Sequence, residues 1–212
     1  MKQTLNMSCI VLAGGKSSRL GREKVIEKVG DKSLLQWVID CLSTLDCEII
    51  VVLGKDRDFP RFIDYPKLKT TIDIHPDRGP IGGIHAGLKK SESFYNIIVA
   101  ADMPFLNIDL LSYMIELANG FDVVIPRLDN FVEPLHAIYT KDCLQQIENL
   151  LSRDISSLLQ LFPLLKVKYL DSNNIDRFDP GHLSFLNVNT EADLVKARRL
   201  AADTSIYTHM LS

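Results

Sequence analysis

A chain of 212 residues is long enough for one α/β domain with a sizeable core, and its 46% hydrophobic and 24% charged residues are ordinary for a globular protein. The net charge of −3 lacks the basic excess typical of nucleic-acid binding. No apolar run reaches membrane length, so we expect a cytoplasmic protein with neither nucleic-acid nor membrane partners. The four cysteines have no metal-ligand spacing and are expected to be reduced core residues.

The first half of the chain alternates predicted strands with predicted helices. Short apolar runs predict buried strands at residues 9–11, 48–53, 69–74 and 96–101. Ser33, with Gln36 three residues later, predicts the start of a helix, and Asn107 predicts another; a further helix should run to Lys90. This alternation predicts an α/β fold, a single-domain three-layer sandwich with a mostly parallel, Rossmann-like sheet and right-handed crossovers.

The second half of the chain is less regular. Strands are predicted at residues 122–126 and 134–139, and helices at 142–151 and 155–161. Residues 166–170 and 184–188 are expected to add strands, antiparallel at the edge of the sheet. Thr190 and Asp193 predict a capped final helix through Leu200. We therefore expect an N-terminal extension over 1–8, a domain over 9–200 and a C-terminal tail over 201–212.

The most informative stretch follows the first strand and reads LAGGKSSRLGREK, from Leu12 to Lys24. Its glycines allow a tight turn and bring backbone N–H groups close to a ligand, and its basic side chains suit oxyanions. The stretch therefore predicts a phosphate-binding loop. It is not a P-loop, which needs a glycine where Ile10 stands, and the adjacent pair Gly14 and Gly15 does not fit the dinucleotide fingerprint. The alternative is a solvated basic loop after an edge strand.

A carboxylate, Asp102, follows the apolar strand 96–101. A charge leaving a buried strand needs a partner, and Mg²⁺ is a hard cation that takes carboxylate and phosphate oxygens. Ligands gather at the carboxyl ends of parallel strands, so the glycine-rich loop and Asp102 should meet at one edge of the sheet. The alternative is an aspartate that only caps the next loop.

The glycine-rich loop resembles the nucleotidyltransferase signature Leu-Ala-Gly-Gly-x-Ser-x-Arg-x-Gly-x-x-Lys, and every fixed position is filled. Over residues 9–200 the chain is most similar to the molybdenum cofactor guanylyltransferases, of the MobA-like family. Further similar segments are 102–105 (Asp-Met-Pro-Phe), 79–84 (Gly-Pro-Ile-Gly-Gly-Ile), 133–137 (Glu-Pro-Leu-His-Ala) and 185–190 (Phe-Leu-Asn-Val-Asn-Thr). The resemblance implies the nucleotide-diphospho-sugar transferase type of fold, Mg²⁺ as cofactor, and transfer of GMP from GTP to the terminal phosphate of molybdopterin.

The resemblance also implies roles for individual residues. Catalytic roles fall to Arg19, Lys24 and Asp102, with Asp102 also the metal ligand. Nucleotide contacts are implied for Leu12, Ala13, Gly14, Gly15, Lys24, Asp73, Gly79, Pro80, Gly82 and Asp102, with Asp77 as the alternative to Asp73. Asn187, Asn189 and His136 are candidates for orienting the acceptor or the metal, against purely structural roles. The family usually has an asparagine after its second strand; here Leu53 and Gly54 stand there, and a backbone contact or Lys55 would have to substitute.

The implied partners are GTP, molybdopterin and molybdoenzyme maturation proteins, with the chain a monomer or weak oligomer. Two other functions stay open. One is a cytidylyltransferase acting on molybdopterin or on a small alcohol phosphate. The other is a non-catalytic nucleotide-binding regulatory protein, which Arg19, Lys24 and Asp102 together argue against, because binding alone does not need a metal carboxylate.

Overall fold

The structure, a computed structural model, describes residues 6–14, 26–55, 59 and 65–203. The strands are β1 Met7–Leu12, β2 Lys28–Val29, β3 Lys32–Ser33, β4 Glu48–Leu53, β5 Leu68–Ile72, β6 Tyr95–Ala100, β7 Val123–Leu128, β8 Phe131–Val132, β9 His136–Thr140 and β10 Val167–Asp171. The helices are α1 Leu34–Ser43, α2 Pro80–Lys90, α3 Ile108–Glu116, α4 Cys143–Ser152, α5 Ser172–Ile175 and α6 Glu191–Ala202. None of these helices is both long and apolar enough to span a bilayer.

The main sheet has the strand order β10-β7-β9-β6-β1-β4-β5, with β8 paired to β7. The pairs β1–β4, β1–β6, β4–β5 and β7–β10 are parallel, and β9 runs antiparallel to both β6 and β7. The short β2–β3 hairpin stands apart. The predicted mostly parallel α/β sheet is therefore confirmed, with one antiparallel strand, β9, inside the sheet and the short β8 also antiparallel to β7.

Side chains alternate between two buried faces along the central strands. In β1, Cys9 and Val11 join one core with α1 and α3, and Ile10 and Leu12 join a second core with α2 and α4. Because helices cover both faces, the central strands are apolar throughout rather than alternating with polar residues. This arrangement confirms the three-layer sandwich.

Three predicted helix starts are confirmed by side-chain caps. The Leu110 N–H donates to Asn107 Oδ1 at 2.8 Å, and the Gln36 N–H donates to Ser33 Oγ at 3.1 Å. At α6 the bonds are reciprocal, since Asp193 N–H donates to Thr190 Oγ1 at 3.2 Å and Thr190 N–H donates to Asp193 Oδ2 at 2.8 Å. At α1 only one of the two reciprocal capping bonds forms, because the Gln36 side chain bonds Asp40 instead of the Ser33 backbone.

The predicted strand at residues 184–188 is wrong. A 3-10 helix occupies Leu183–Phe185. Its backbone is satisfied by a side chain, since the N–H groups of Leu183 and Ser184 donate to Asp179 Oδ1 and Oδ2 at 3.0 and 2.8 Å. A segment whose N–H groups are already bound in this way has no need of a sheet ladder.

The edge strand β10 is parallel to β7, which corrects the expected antiparallel pairing. After β9 the chain crosses one face through α4 and reaches Asp154, which forms an ion pair with Arg78. The next residues carry only short 3-10 turns, including Leu158–Gln160 where a helix over 155–161 was expected, and they return the chain to the start of β7. Asp122 N–H donates there to Lys166 O at 2.8 Å, so β10 begins beside β7 and runs the same way.

Candidate functional site

The carboxyl ends of the central strands lie side by side and are joined through backbone atoms. Just past β1, Ala13 N–H donates to Val52 O of β4 at 2.9 Å, and just past β6, Ala101 N–H donates to Leu12 O at 3.1 Å. A Cβ added to Gly14 would lie 3.3 Å from the Gly54 backbone nitrogen. Glycine thus permits the close approach of the loop after β1 to the end of β4.

Asp102 lies at this edge, as the strand order predicted. It is half-buried and directly follows Ala101, the residue bonded to β1. Val188 N–H donates to Asp102 O at 3.0 Å, so a segment 86 residues away in the sequence is held against it. Asn187 and Asn189 flank that valine. The fold therefore brings Leu12, Ala13, Gly14, Asp102, Asn187 and Asn189 to one place.

The rest of the glycine-rich loop is not described. Gly15, Arg19 and Lys24 lie outside the described residues, so the roles predicted for them stay predictions.

The segment 79–84, which resembles the family's glycine-rich stretch, is helical almost throughout, because α2 begins at Pro80. Pro80 suits the first helical position, and Gly79 has φ 62° and ψ −152°, a conformation that is essentially restricted to glycine. A Cβ on Gly82 would lie 2.6 Å from His75 O, so this glycine lets the helix pack on the turn after β5. Gly82 therefore has a packing role in addition to the nucleotide contact predicted for it.

Asp73 directly follows β5 and lies beside the end of β4. Its N–H donates to Leu53 O at 2.9 Å, and its Oδ1 accepts the His75 N–H at 2.7 Å. Asp77, the alternative, lies farther along in a short 3-10 helix, Pro76–Arg78. Asp73 is thus the aspartate that shares the edge with β1 and β4, and it is held by its own turn.

His136 begins β9 and lies opposite Val99 of β6, close to the same edge. Its ring is fully buried, its centroid is 4.8 Å from that of Phe185, and neither ring nitrogen has a hydrogen-bond partner in the described part of the chain. Burial lowers its pKa from 6.5 to about 3, so the imidazole is neutral at pH 7. It can donate or accept a hydrogen bond there, but it cannot offer positive charge.

One feature of this edge was not predicted. Strands β7 and β8 form a hairpin whose tip carries Phe131, and 76% of Phe131 is exposed. Because β9 is antiparallel to both β6 and β7, this tip projects from the same edge as Asp102. Burial raises the pKa of Glu133, which follows the hairpin. The only sequence signal was the turn-forming pair Asp129 and Asn130 between two β-forming runs.

The described side chains at this edge could hold Mg²⁺ only together with oxygens of a bound substrate. Within the described residues, no three His, Cys, Asp or Glu side chains are grouped as a metal site made by protein alone would require. Asp102 supplies hard carboxylate oxygens, and Mg²⁺ typically takes one or two carboxylates together with substrate phosphates and water. These residues therefore fit an ion held between Asp102 and a nucleotide.

Comparison with known proteins agrees with the fold and with the family expected from the sequence. The family model of the MobA-like NTP transferase domain matches residues 9–167. A probable molybdenum cofactor guanylyltransferase of Pelotomaculum thermopropionicum is 34% identical, over 94% of this chain and 96% of its own. A molybdenum cofactor guanylyltransferase of Syntrophotalea carbinolica is also 34% identical, over 91% of this chain and 90% of its own.

Solved structures extend the comparison. Molybdopterin-guanine dinucleotide biosynthesis protein A from Archaeoglobus fulgidus superposes with a TM-score of 0.79 at 28% identity, covering 92% of this chain and 98% of its own. A 2-C-methyl-D-erythritol 4-phosphate cytidylyltransferase from Thermus thermophilus shares the fold, with a TM-score of 0.68 at 14% identity over 91% and 98% of the two chains. The family expected from the glycine-rich loop is confirmed: this chain belongs to the MobA-like NTP transferase family.

Proposed function

We propose that this protein transfers GMP from GTP to the terminal phosphate of molybdopterin and releases pyrophosphate. The observation that supports this most directly is the backbone joining of three distant segments at one edge: Ala101 N–H to Leu12 O, and Val188 N–H to Asp102 O. The names of the relatives suggest the base and the acceptor. The substrates and the metal remain part of the proposal.

The acceptor phosphate is already an anion at neutral pH, so the reaction needs no side chain to remove a proton from it. What the protein must supply is alignment of two phosphates and stabilisation of the charge that develops between them. We assign the β- and γ-phosphates to the backbone N–H groups after β1 and to Arg19. Lys24 is assigned to the charge growing around the α-phosphorus.

Asp102 is assigned as the carboxylate that holds Mg²⁺ against the nucleotide. A bound Mg²⁺ supplies positive charge that reduces repulsion between the acceptor phosphate and the α-phosphate. The backbone of Asp102 is fixed on both sides, through Ala101 and through Val188, so its carboxylate is presented from a rigid part of the fold. Asn187 and Asn189 flank Val188, whose N–H bonds Asp102 O, and they are assigned to orienting the acceptor or the metal.

The second substrate is assigned to the side of the site near β9. His136 offers two ring nitrogens without partners among the described residues, and an unsatisfied buried polar group costs about 1–3 kcal/mol. The ring is fully buried against Phe185, so a polar ligand atom would recover part of that cost only if Phe185 moves aside. We therefore place the acceptor towards His136 and the guanine towards Asp73 and the start of α2.

The test is pyrophosphate release by the purified protein with Mg²⁺, molybdopterin and each of GTP, CTP, ATP and UTP. We expect release with GTP when the acceptor is present, little release without it, and a product with the mass of the guanine dinucleotide. Removal of Mg²⁺ by a chelator should stop release and its return should restore it.

Two results would replace the proposal with another function. Faster release with CTP than with GTP would indicate a cytidylyltransferase. Stabilisation of the protein by GTP in a thermal shift assay, without release in the presence of molybdopterin, would indicate a regulatory nucleotide binder.

A further inference from the structure

Two cysteine thiols meet near the amino-terminal edge of the sheet, away from the candidate site. Cys9 lies in β1 and Cys47 immediately precedes β4, and their Sγ atoms are 3.3 Å apart. The parallel register that places Ser8 beside Glu48 and Cys9 beside Ile49 creates this contact between residues 38 apart in the sequence. The contact is therefore fixed by the pairing of two central strands.

The two thiols have unequal surroundings. Cys9 is fully buried, whereas Cys47 is half-buried. The hydrogen bond between them lowers the pKa of Cys47, with the charge of Lys67 contributing in the same direction, and raises the pKa of Cys9 well above its usual value. Either sulfur can donate in this bond, but because Cys9 is fully buried and Cys47 is half-buried beside Lys67, Cys47 carries the thiolate more readily.

The charge beside Cys47 is held in place. Lys67 Nζ donates to Asp46 O at 2.7 Å and to Asp46 Oδ1 at 2.6 Å, and Tyr65 Oη donates to Cys47 O at 2.9 Å. These bonds keep the lysine next to the residue that precedes β4.

The other two cysteines lack these features. Cys41 Sγ donates to Leu106 O at 3.3 Å and Cys143 Sγ donates to Asp122 O at 3.4 Å. Both are buried, and burial raises the pKa of each to about 12. Cys41 and Cys143 therefore serve as internal controls for any thiol chemistry.

We propose that Cys9 and Cys47 form an oxidisable dithiol, a modification site for hydroperoxides that closes to a disulfide between β1 and the start of β4. The Cys47 thiolate attacks a peroxide oxygen, the O–O bond breaks, and a sulfenic acid and hydroxide are formed. Cys9 sulfur then attacks Cys47 sulfur, the S–O bond breaks, and the departing hydroxide takes the Cys9 proton as water. Overall, two thiols lose two hydrogens and the peroxide is reduced to two waters.

The geometry favours closure over further oxidation. A disulfide bond is about 2.0 Å long, so the two sulfurs need to approach by little more than an ångström. Cys9 already lies against Cys47, so it can resolve the sulfenic acid as soon as that acid forms. This inference does not depend on the proposed transferase activity, because none of its residues belongs to the candidate site.

The test is titration of the native full-length protein with hydrogen peroxide, followed by alkylation, intact mass measurement and peptide mapping. We expect the thiol count to fall from four to two, the mass to fall by two hydrogens, and one linked peptide pair to contain Cys9 and Cys47. Dithiothreitol should reverse all three changes. Phenylarsine oxide, which bridges two close thiols with loss of water, should add once and protect the same pair.

Variants separate the roles of the two thiols. Cys47→Ala should slow the first loss of thiol, Cys9→Ala should divert Cys47 to the irreversible sulfinic acid, and Cys41→Ala should behave as the wild type. A disulfide that involves Cys41 or Cys143, or no loss of thiol from the folded wild-type protein, would overturn the proposal. The wild-type peptide map requires no variant, so a misfolded Cys9→Ala protein would not obscure the result.

Discussion

The two edges of the central sheet are held together in different ways. At the amino-terminal edge side-chain bonds are added to backbone bonds such as Lys141 N–H to Phe94 O: Ser93 Oγ donates to Asn6 Oδ1 and accepts from Ser8 Oγ, both at 2.8 Å, and Lys141 Nζ donates to Leu88 O at 2.5 Å. At the carboxyl-terminal edge the bonds that bring the segments of the candidate site together are backbone bonds, between Ala101 and Leu12 and between Val188 and Asp102.

This difference has a physical consequence. Where backbone atoms join the segments, a side chain can be changed without opening the join, so the chemistry of the site can vary while the fold persists. Where a side chain makes the hydrogen bond between two segments, substituting that side chain removes the bond. The carboxyl-terminal edge should therefore show large effects on activity with small effects on stability, and the amino-terminal edge the reverse.

Asp102→Asn should give the largest effect. The amide keeps the shape of the side chain and leaves both backbone bonds, but it removes the negative charge assigned to hold Mg²⁺. We expect nucleotidyl transfer to fall by about 10²–10³-fold, the range typical of losing one group that stabilises the transition state. The free energy of unfolding should change by less than about 1 kcal/mol, because no buried packing is lost. Steady-state pyrophosphate release and urea unfolding measure the two quantities.

The matched control is Glu116→Gln, the same loss of charge on an exposed residue at the far end of α3. It should leave activity unchanged. If Asp102→Asn retains Mg²⁺-dependent activity comparable to that of this control, the metal assignment is wrong.

Ser93→Ala tests the other edge. Ser8 and Asn6 each lose a partner from a largely buried network, since Ser93 is 7% exposed and Ser8 1% exposed. Leaving a buried polar group unsatisfied costs about 1–3 kcal/mol, so we expect a loss of that size in the free energy of unfolding with unchanged transfer activity. Ser152→Ala, an exposed serine that bonds only within its own helix, should cost about 0.5 kcal/mol or less. Equal costs for the two variants would contradict the comparison.

His136→Phe should have the smallest effect on the free energy of unfolding at neutral pH, and the effect should grow as the pH falls. The folded pKa of about 3 lies below the ordinary 6.5, so the unfolded chain binds a proton that the folded chain does not. The wild type should therefore be fully stabilised with respect to this group above pH 6.5 and lose about 1.4 kcal/mol per pH unit as the pH falls from there towards 3.

Phenylalanine carries no such proton, so His136→Phe should lose that part of the pH dependence. Urea unfolding at pH 7, 6 and 5 measures the difference between the two slopes. Parallel slopes would show that His136 binds protons equally in the folded and unfolded states, which would contradict the lowering of its pKa by burial.

Local patterns predicted most of the fold because they act through near neighbours. The strand at residues 48–53 was predicted with the same bounds as β4. A continuous run of apolar β-formers is typical of a strand that is buried on both faces of a sheet. Asn107 and Thr190 were predicted to start helices and do so, because a cap needs only the next three residues. The meeting of Leu12 with Asp102 followed from topology, since parallel strands end at one edge.

The misses have a common cause. Residues 184–188 were predicted as a strand, but the Ser184 N–H bonds Asp179 and the Val188 N–H bonds Asp102 O. The strand β10 was expected to be antiparallel, but the path through Asp154 brings it beside β7 in the same direction. In each case a residue distant in sequence determines the local structure, and a single sequence does not show which distant residues come into contact.

By itself the sequence determined the family, the α/β sandwich and the edge at which the glycine-rich loop and Asp102 should meet. Motif spacing, helix caps and apolar runs involve only residues that are close together in the sequence. Only the tertiary structure decided which backbone atoms join the site, that His136 lies fully buried and neutral beside Phe185, and that Cys9 touches Cys47. Those facts depend on strand register and on burial, which arise only when residues far apart in the chain are packed together.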